Sequence, residues 1–249
     1  MSAAHRQIVA FGGGGFSIGS DNSLLDDYVL GLVPATRPKV CFLPTASGDA
    51  DHYVLRFYRA FSPRCETSHV SLFRRDSGVG DIRRHLLSRD LVYVGGGSVL
   101  SLLGAWRAHG IDTMLREAWD AGVILCGPSA GSLCWFAEGV TAFHGPPERV
   151  KGLGFLPCSN CVHFDAEPER WHAYRRMVAE GMPEGYAVDD GAALHFAGER
   201  LLRAVASRPD SRAYRVRSCG GRVTKRALAS LQLGAPAVAR GAPLAAVAA

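Results

Sequence analysis

The segment Gly127-Pro128-Ser129-Ala130-Gly131 carries the strongest chemical signal in this chain of 249 residues. It follows an apolar run at 123–126 and precedes a helix-compatible stretch at 132–136, so a G-x-S-x-G motif stands at a strand-to-helix turn. Glycines on either side let the turn tighten and lift the Ser129 hydroxyl above a sheet. Unpaired amides at the helix start then lie where an oxyanion would form. That pattern suits a nucleophilic serine; a plain structural turn is the alternative.

Such a serine needs a base, and nine histidines are available: His5, His52, His69, His85, His109, His144, His163, His172 and His195. His163, in Cys161-Val162-His163-Phe164-Asp165, ends a short apolar run beyond the nucleophile, but spacing alone leaves it one candidate among several. Gly95-Gly96-Gly97 closes the apolar run at 91–94, where bare backbone amides could approach a reacting carbonyl; a tight turn is the simpler role. Gly12-Gly13-Gly14-Gly15 lacks both G-x-G-x-x-G and G-K-[ST], so nucleotide binding is not expected. Cys158-x-x-Cys161 has no second pair at zinc spacing, and two buried thiols with no metal are expected.

These residues need a scaffold, and the hydrophobic pattern supplies one. Apolar runs at 7–11, 40–43, 91–94 and 123–126 read as strands, as does the less regular 69–73. They alternate with helical patterns at 23–32, 53–61, 82–87, 99–108 and 112–121. Alternation of this kind predicts parallel β-α-β units with ligands at the C-terminal ends of the strands. Beyond 137 the strands shorten, with a helix near 168–180, short strands at 186–188 and 192–196, and a hairpin at 214–223. This is read as the second half of the same domain. The expected fold class is α/β, a single domain over 1–232 with a mostly parallel sheet and helices on both faces. Residues 233–249 are read as a disordered tail.

Composition narrows the rest. Lys+Arg 28 against Asp+Glu 23 gives a net charge of +5 at 47% hydrophobic residues, which excludes a disordered chain. Every apolar run breaks short of the ~18 residues a membrane helix needs, and no secretory leader is read at the start. Seven cysteines do not suggest a disulfide framework, so a reducing cytoplasm is expected. Nine basic residues against one acid between Arg200 and Arg226 make a local +8. With no aromatic platform interleaved, this reads as a protected sheet edge, and no nucleic acid or membrane partner is expected.

The motifs together resemble the peptidase E family of serine peptidases, aspartyl dipeptidases related in fold to cyanophycinase and to class I glutamine amidotransferase (flavodoxin-like) domains. The likeness spans about residues 7–216. It rests on PTASGD (44–49), VGGGS (94–98), AWRAHGID (105–112), LREAW (115–119), GPSAGSLCWF (127–136), GLGFLP (152–157), HFD (163–165), DDGAAL (189–194) and SRPDSRAYRV (207–216). The resemblance implies Ser129 as nucleophile, His163 as general base, and backbone donors at Gly96 or Gly97 and at Ala130. It also implies Arg170 as the receiver of an acidic substrate side chain.

The third catalytic residue departs from the pattern. Ala142 stands where the best-known members have an Asp. Cyanophycinase-like relatives place the acid after the histidine, in a pair like Asp189-Asp190, which favours Asp190, then Asp189, with Glu138 and Asp165 as outsiders. Ser98 replaces the family's usual Asn at a substrate-binding position. The expected activity is hydrolysis of short peptides with an N-terminal Asp, without cofactor or metal. The alternatives are an amidase or isopeptidase of other specificity, or a catalytically impaired binding protein. A homodimer stays an open expectation.

Overall fold

Four consecutive residues of the first strand, Ile8, Val9, Ala10 and Phe11, are completely buried. Successive side chains point to opposite faces of a strand, so this one needs cover on both sides. In the computed structural model, which describes residues 6–17, 24–74, 79–166 and 169–234, that cover is complete. Ile8 and Ala10 join one core with Cys41, Leu43, Val92, Val94 and Leu125. Val9 and Phe11 join another with Val40, Phe42, Leu91, Tyr93 and Cys126.

The chain runs β1 (Gln7–Phe11), α1 (Leu24–Leu30), β2 (Lys39–Leu43), α2 (Asp51–Phe61), β3 (Glu66–His69), α3 (Ile82–Leu87), β4 (Leu91–Val94), α4 (Val99–His109), α5 (Ile111–Asp120), β5 (Ile124–Pro128) and α6 (Ala130–Leu133). It continues through β6 (Phe136–Thr141), β7 (Glu148–Lys151), β8 (Leu156–Cys161), α7 (Glu169–Ala179), β9 (Gly185–Val188), β10 (Ala192–Ala197), β11 (Arg200–Ala206), β12 (Ala213–Cys219), β13 (Arg222–Ala227) and β14 (Ser230–Gln232).

Eight strands form one sheet in the order β14-β11-β10-β1-β5-β4-β2-β3, and the segment from β1 to β3 is wholly parallel. Helices α1 and α2 cover one face through Leu25, Val29, Phe57 and Phe61. The other face meets α4 and α5 through Leu102, Trp106, Leu115 and Trp119. The fold is thus a single α/β domain with helices on both faces, as the alternating pattern predicts.

The stretch after 137 does more than extend that sheet. It builds a second one, β13-β12-β9-β8-β6-β7, whose inner side chains Phe136, Leu156, Tyr186 and Val188 share the core under α4 and α5. Helix α7 covers its outer face with Tyr174, Met177 and Val178. Short strands of mixed polarity, such as Glu148–Lys151, carry no pattern that separates two sheets from one. Other boundaries shift locally. The strand expected at 69–73 is β3, a polar edge strand ending at His69. The helix after Ser129 stops at Leu133, because Phe136 already belongs to β6. Leu233 donates to the Ala206 carbonyl and packs on the core, so the ordered chain runs past 232. The rest of the expected tail, 235–249, lies outside the described residues, as do Ser23 and Pro168.

Candidate active site

β1, β5 and β4 are neighbours, so the loops that follow them open at one edge of the sheet: Gly12-Gly13 after β1, Ser129 after β5, Gly95-Gly96-Gly97 after β4. In parallel sheets this edge is where ligands gather. Ser129 adopts φ 56° and ψ −116°, a conformation that costs a non-glycine residue about 1–3 kcal/mol. The turn closes because its flanks lack side chains. A Cβ on Gly127 or on Gly131 would lie 2.2 Å from the Val94 carbonyl oxygen of β4. The strain keeps Ser129 at the mouth of the loop, half-buried, directly before the first amide of α6.

The second sheet supplies the other partners. His163 follows β8, also with positive φ (51°), and its Nδ1 lies 2.5 Å from Oδ1 of Asp190 after β9. A carboxylate only accepts, so Nδ1 carries the proton and Nε2 is left as the basic nitrogen. Burial pushes the Asp190 carboxyl up, but the hydrogen bond and charge of His163, with Arg208 and Arg170, outweigh it and hold Asp190 below its ordinary value. Its backbone N–H is fixed by Asp165 Oδ1 at 2.8 Å. Asp189, the second choice, turns the other way. Its Oδ2 accepts the Arg212 N–H at 2.9 Å, and burial raises its carboxyl to about 6. Glu138 is engaged by Arg149 on the surface.

Gly12 and Gly13 have a use that the sequence did not reveal. Asp190 forms a parallel bridge with Gly13, and the Gly191 N–H donates to the Gly13 carbonyl at 2.9 Å. A Cβ on Gly13 would stand 2.1 Å from Asp190 Oδ1 and 2.8 Å from His163 Cε1. The bare backbone at Gly13, just past β1, is therefore the floor on which the His163–Asp190 pair rests.

Ser129 and His163 line two cavities at once. One, of about 290 Å³, is bounded by Gly97, Ala130, Thr141, Ala142, Phe143 and Arg170. The other, of about 280 Å³, is bounded by Gly13, Ser17, His52, Tyr53, Arg56 and Gly96. Arg170, in the first turn of α7, is 5% exposed. Gly96 donates its N–H to the Tyr53 hydroxyl at 3.1 Å, whereas Gly97 and Ala130 open into the Arg170 side. Ser98 is placed away from both cavities. It is buried, caps α4 by accepting the Ser101 N–H, and bonds His144 Nε2 at 2.8 Å.

A model of peptidase family S51 matches residues 8–204. An uncharacterized peptidase of Bacillus subtilis, YgaJ, is 48% identical over 213 residues, covering 85% of this chain and 92% of its own. The chain belongs to peptidase family S51. That is the family to which the motifs pointed. Two solved structures share the fold with this S51 peptidase. One, a peptidase from an acI-B1 Actinobacterium, has a TM-score of 0.64 at 16% identity, covering 90% of this chain and 94% of its own. The other, a putative peptidase E protein from Listeria monocytogenes, gives 0.60 at 17% identity, covering 82% and 99%.

Cys158 and Cys161 sit three apart on β8, belong to different packed clusters and face opposite sides. Cys126 is fully buried and its thiol is pushed well up by burial. Among the described residues no three His, Cys, Asp or Glu side chains are grouped to hold a metal, and no helix is long and apolar enough to cross a membrane. The basic stretch runs through β11 to the edge strand β13, whose Lys225 lies 4.5 Å over the Phe164 ring beside His163.

Proposed function

We propose that this S51 peptidase is a serine dipeptidase acting on short peptides with an N-terminal Asp. Ser129 Oγ attacks the scissile carbonyl as its proton passes to His163 Nε2. Asp190 holds the imidazole in the required tautomer and balances the imidazolium that forms. The Gly97 and Ala130 amides receive the oxyanion, with Gly96 tied to Tyr53. Collapse breaks the C–N bond, and His163 returns the proton to the leaving amine. Water, deprotonated by His163, then cleaves the ester and restores Ser129.

Arg170 receives the acidic side chain of the acyl residue. It lines the same cavity as Ser129 and is 5% exposed, so a carboxylate bound beside it would be only weakly screened by water. The observation that carries the reading is the strained Ser129 sharing both cavities with a histidine bonded to Asp190. It also supports a working enzyme over an impaired binding protein, because Asp190, just past β9, offers the acid that Ala142 cannot. Seven free thiols fit a reducing cytoplasm, and neither nucleic acid nor membrane is required.

A fluorophosphonate probe and Asp-Leu hydrolysis test the proposal together. The protein is expected to label at Ser129 and to release leucine, and Ser129→Ala to lose both. A protein that neither labels nor cleaves Asp dipeptides contradicts it.

A further inference from the structure

Resting on that dipeptidase reading, we infer that Arg56, seconded by His52, binds the free α-carboxylate of the leaving amino acid and thereby restricts the enzyme to dipeptides. Arg170 lines the cavity on one side of Ser129 and His163; the cavity on the other side is lined by His52 and Arg56 and, among the described residues, by no acidic side chain. Ser129 and His163 line both spaces, so with the acyl residue on the Arg170 side the leaving residue falls to this second one. At about 280 Å³ it has room for one amino acid residue.

Both side chains are exposed, and Arg56 is anchored at the rim. His52 and Arg56 are one turn apart on α2, so they share an edge of the helix. Between them in sequence, Tyr53 locks α2 to the site through the Gly96 N–H and the Ser17 hydroxyl. One arm of the Arg56 guanidinium donates to the Ser17 carbonyl at 2.7 Å, which fixes the group at the rim. The remaining N–H groups of the fork match a carboxylate in a bidentate way, and among the described residues no acid pairs with Arg56. In a dipeptide the α-carboxylate lies one Cα beyond the leaving nitrogen, within reach across the cavity. In a longer peptide that position is a neutral amide that cannot repay the fork.

The test compares kcat/KM for Asp-Leu and Asp-Leu-amide with wild type, Arg56→Gln and Arg56→Lys. Wild type is expected to prefer the free acid by roughly 10- to 100-fold, the range of a hydrogen bond to a charged group. Arg56→Gln should bring the ratio near one, mainly by lowering the free-acid rate, and Arg56→Lys should fall between. A wild-type ratio near one, or a ratio that Arg56→Gln leaves untouched, overturns the subsite while leaving the dipeptidase standing. Fluorophosphonate labelling without cleavage of either substrate overturns the dipeptidase reading, and the subsite with it.

Discussion

Replacing Asp190 probes how much of the chemistry depends on the second sheet. The His163 Nδ1 to Asp190 Oδ1 distance of 2.5 Å puts the charge centres of imidazolium and carboxylate roughly 4 Å apart. At an effective dielectric constant of about 20 their attraction is about 4 kcal/mol. Both side chains are partly open to solvent, 25% and 21% exposed, so screening leaves about 3 kcal/mol, or about 10²-fold in rate. Loss of tautomer control adds to this, and Asp190→Asn should cost ~10³-fold. The fall should appear in kcat, with KM for Asp-Leu within about 3-fold, because Asp190 touches His163 and not the substrate. Fluorophosphonate labelling should slow in parallel, with the melting temperature nearly unchanged. Asp189→Asn is the control: its carboxylate accepts the Arg212 N–H, as an amide oxygen also can, so activity should stay within a few-fold. A loss below ~10-fold for Asp190→Asn, or a larger loss for Asp189→Asn, refutes the assignment.

Gly13→Ala drives a methyl group into Asp190 and His163, and a displacement of about 1 Å should lower kcat/KM ~10²-fold in a protein that still melts cooperatively. Arg170→Gln should cut kcat/KM for Asp-Leu ~10- to 100-fold while sparing Ala-Leu, read as the ratio of the two. Asp26 is buried, accepts the Phe16 N–H and the Tyr93 hydroxyl, and burial lifts its carboxyl to about 7. A raised carboxyl stabilises the fold fully below the unfolded value near 4, and that stabilisation is lost as pH climbs through about 7. Denaturant unfolding should therefore weaken over this window by at most ~1.4 kcal/mol per pH unit from this group, and Asp26→Asn should flatten the slope.

Much of the site was legible because its residues act through local grammar. The GPSAG turn needs small flanks and a neighbouring strand, and β4 supplies the Val94 carbonyl they accommodate. Asp190 was favoured over Asp189 only through a family likeness, and the choice between them is tertiary: one side chain faces His163, the other Arg212. Gly12 and Gly13 were weighed as a phosphate loop and set aside, since no spacing rule says that a strand end must pass under an aspartate from residue 190. Arg56 escaped notice, and His52 was only one of nine histidines, because the rotation of α2 is fixed by packing of Phe57 and Phe61, not by motif. The second sheet was hidden for the reason that edge strands are polar: β7 and β13 show one buried residue each.

The bridge between Gly13 and Asp190 also has a meaning in time. β1 precedes the other described strands along the chain, yet it lies inside its sheet, between β5 and β10, and the acid that meets the residues just past it comes from residue 190. Contacts spanning such distances along the chain form late. While the protein is still emerging from the ribosome, the Ser129 turn has its strands β1, β4 and β5 but neither a positioned imidazole nor an acid. On the proposed mechanism, an intact set of Ser129, His163 and Asp190 therefore exists only in the completed fold.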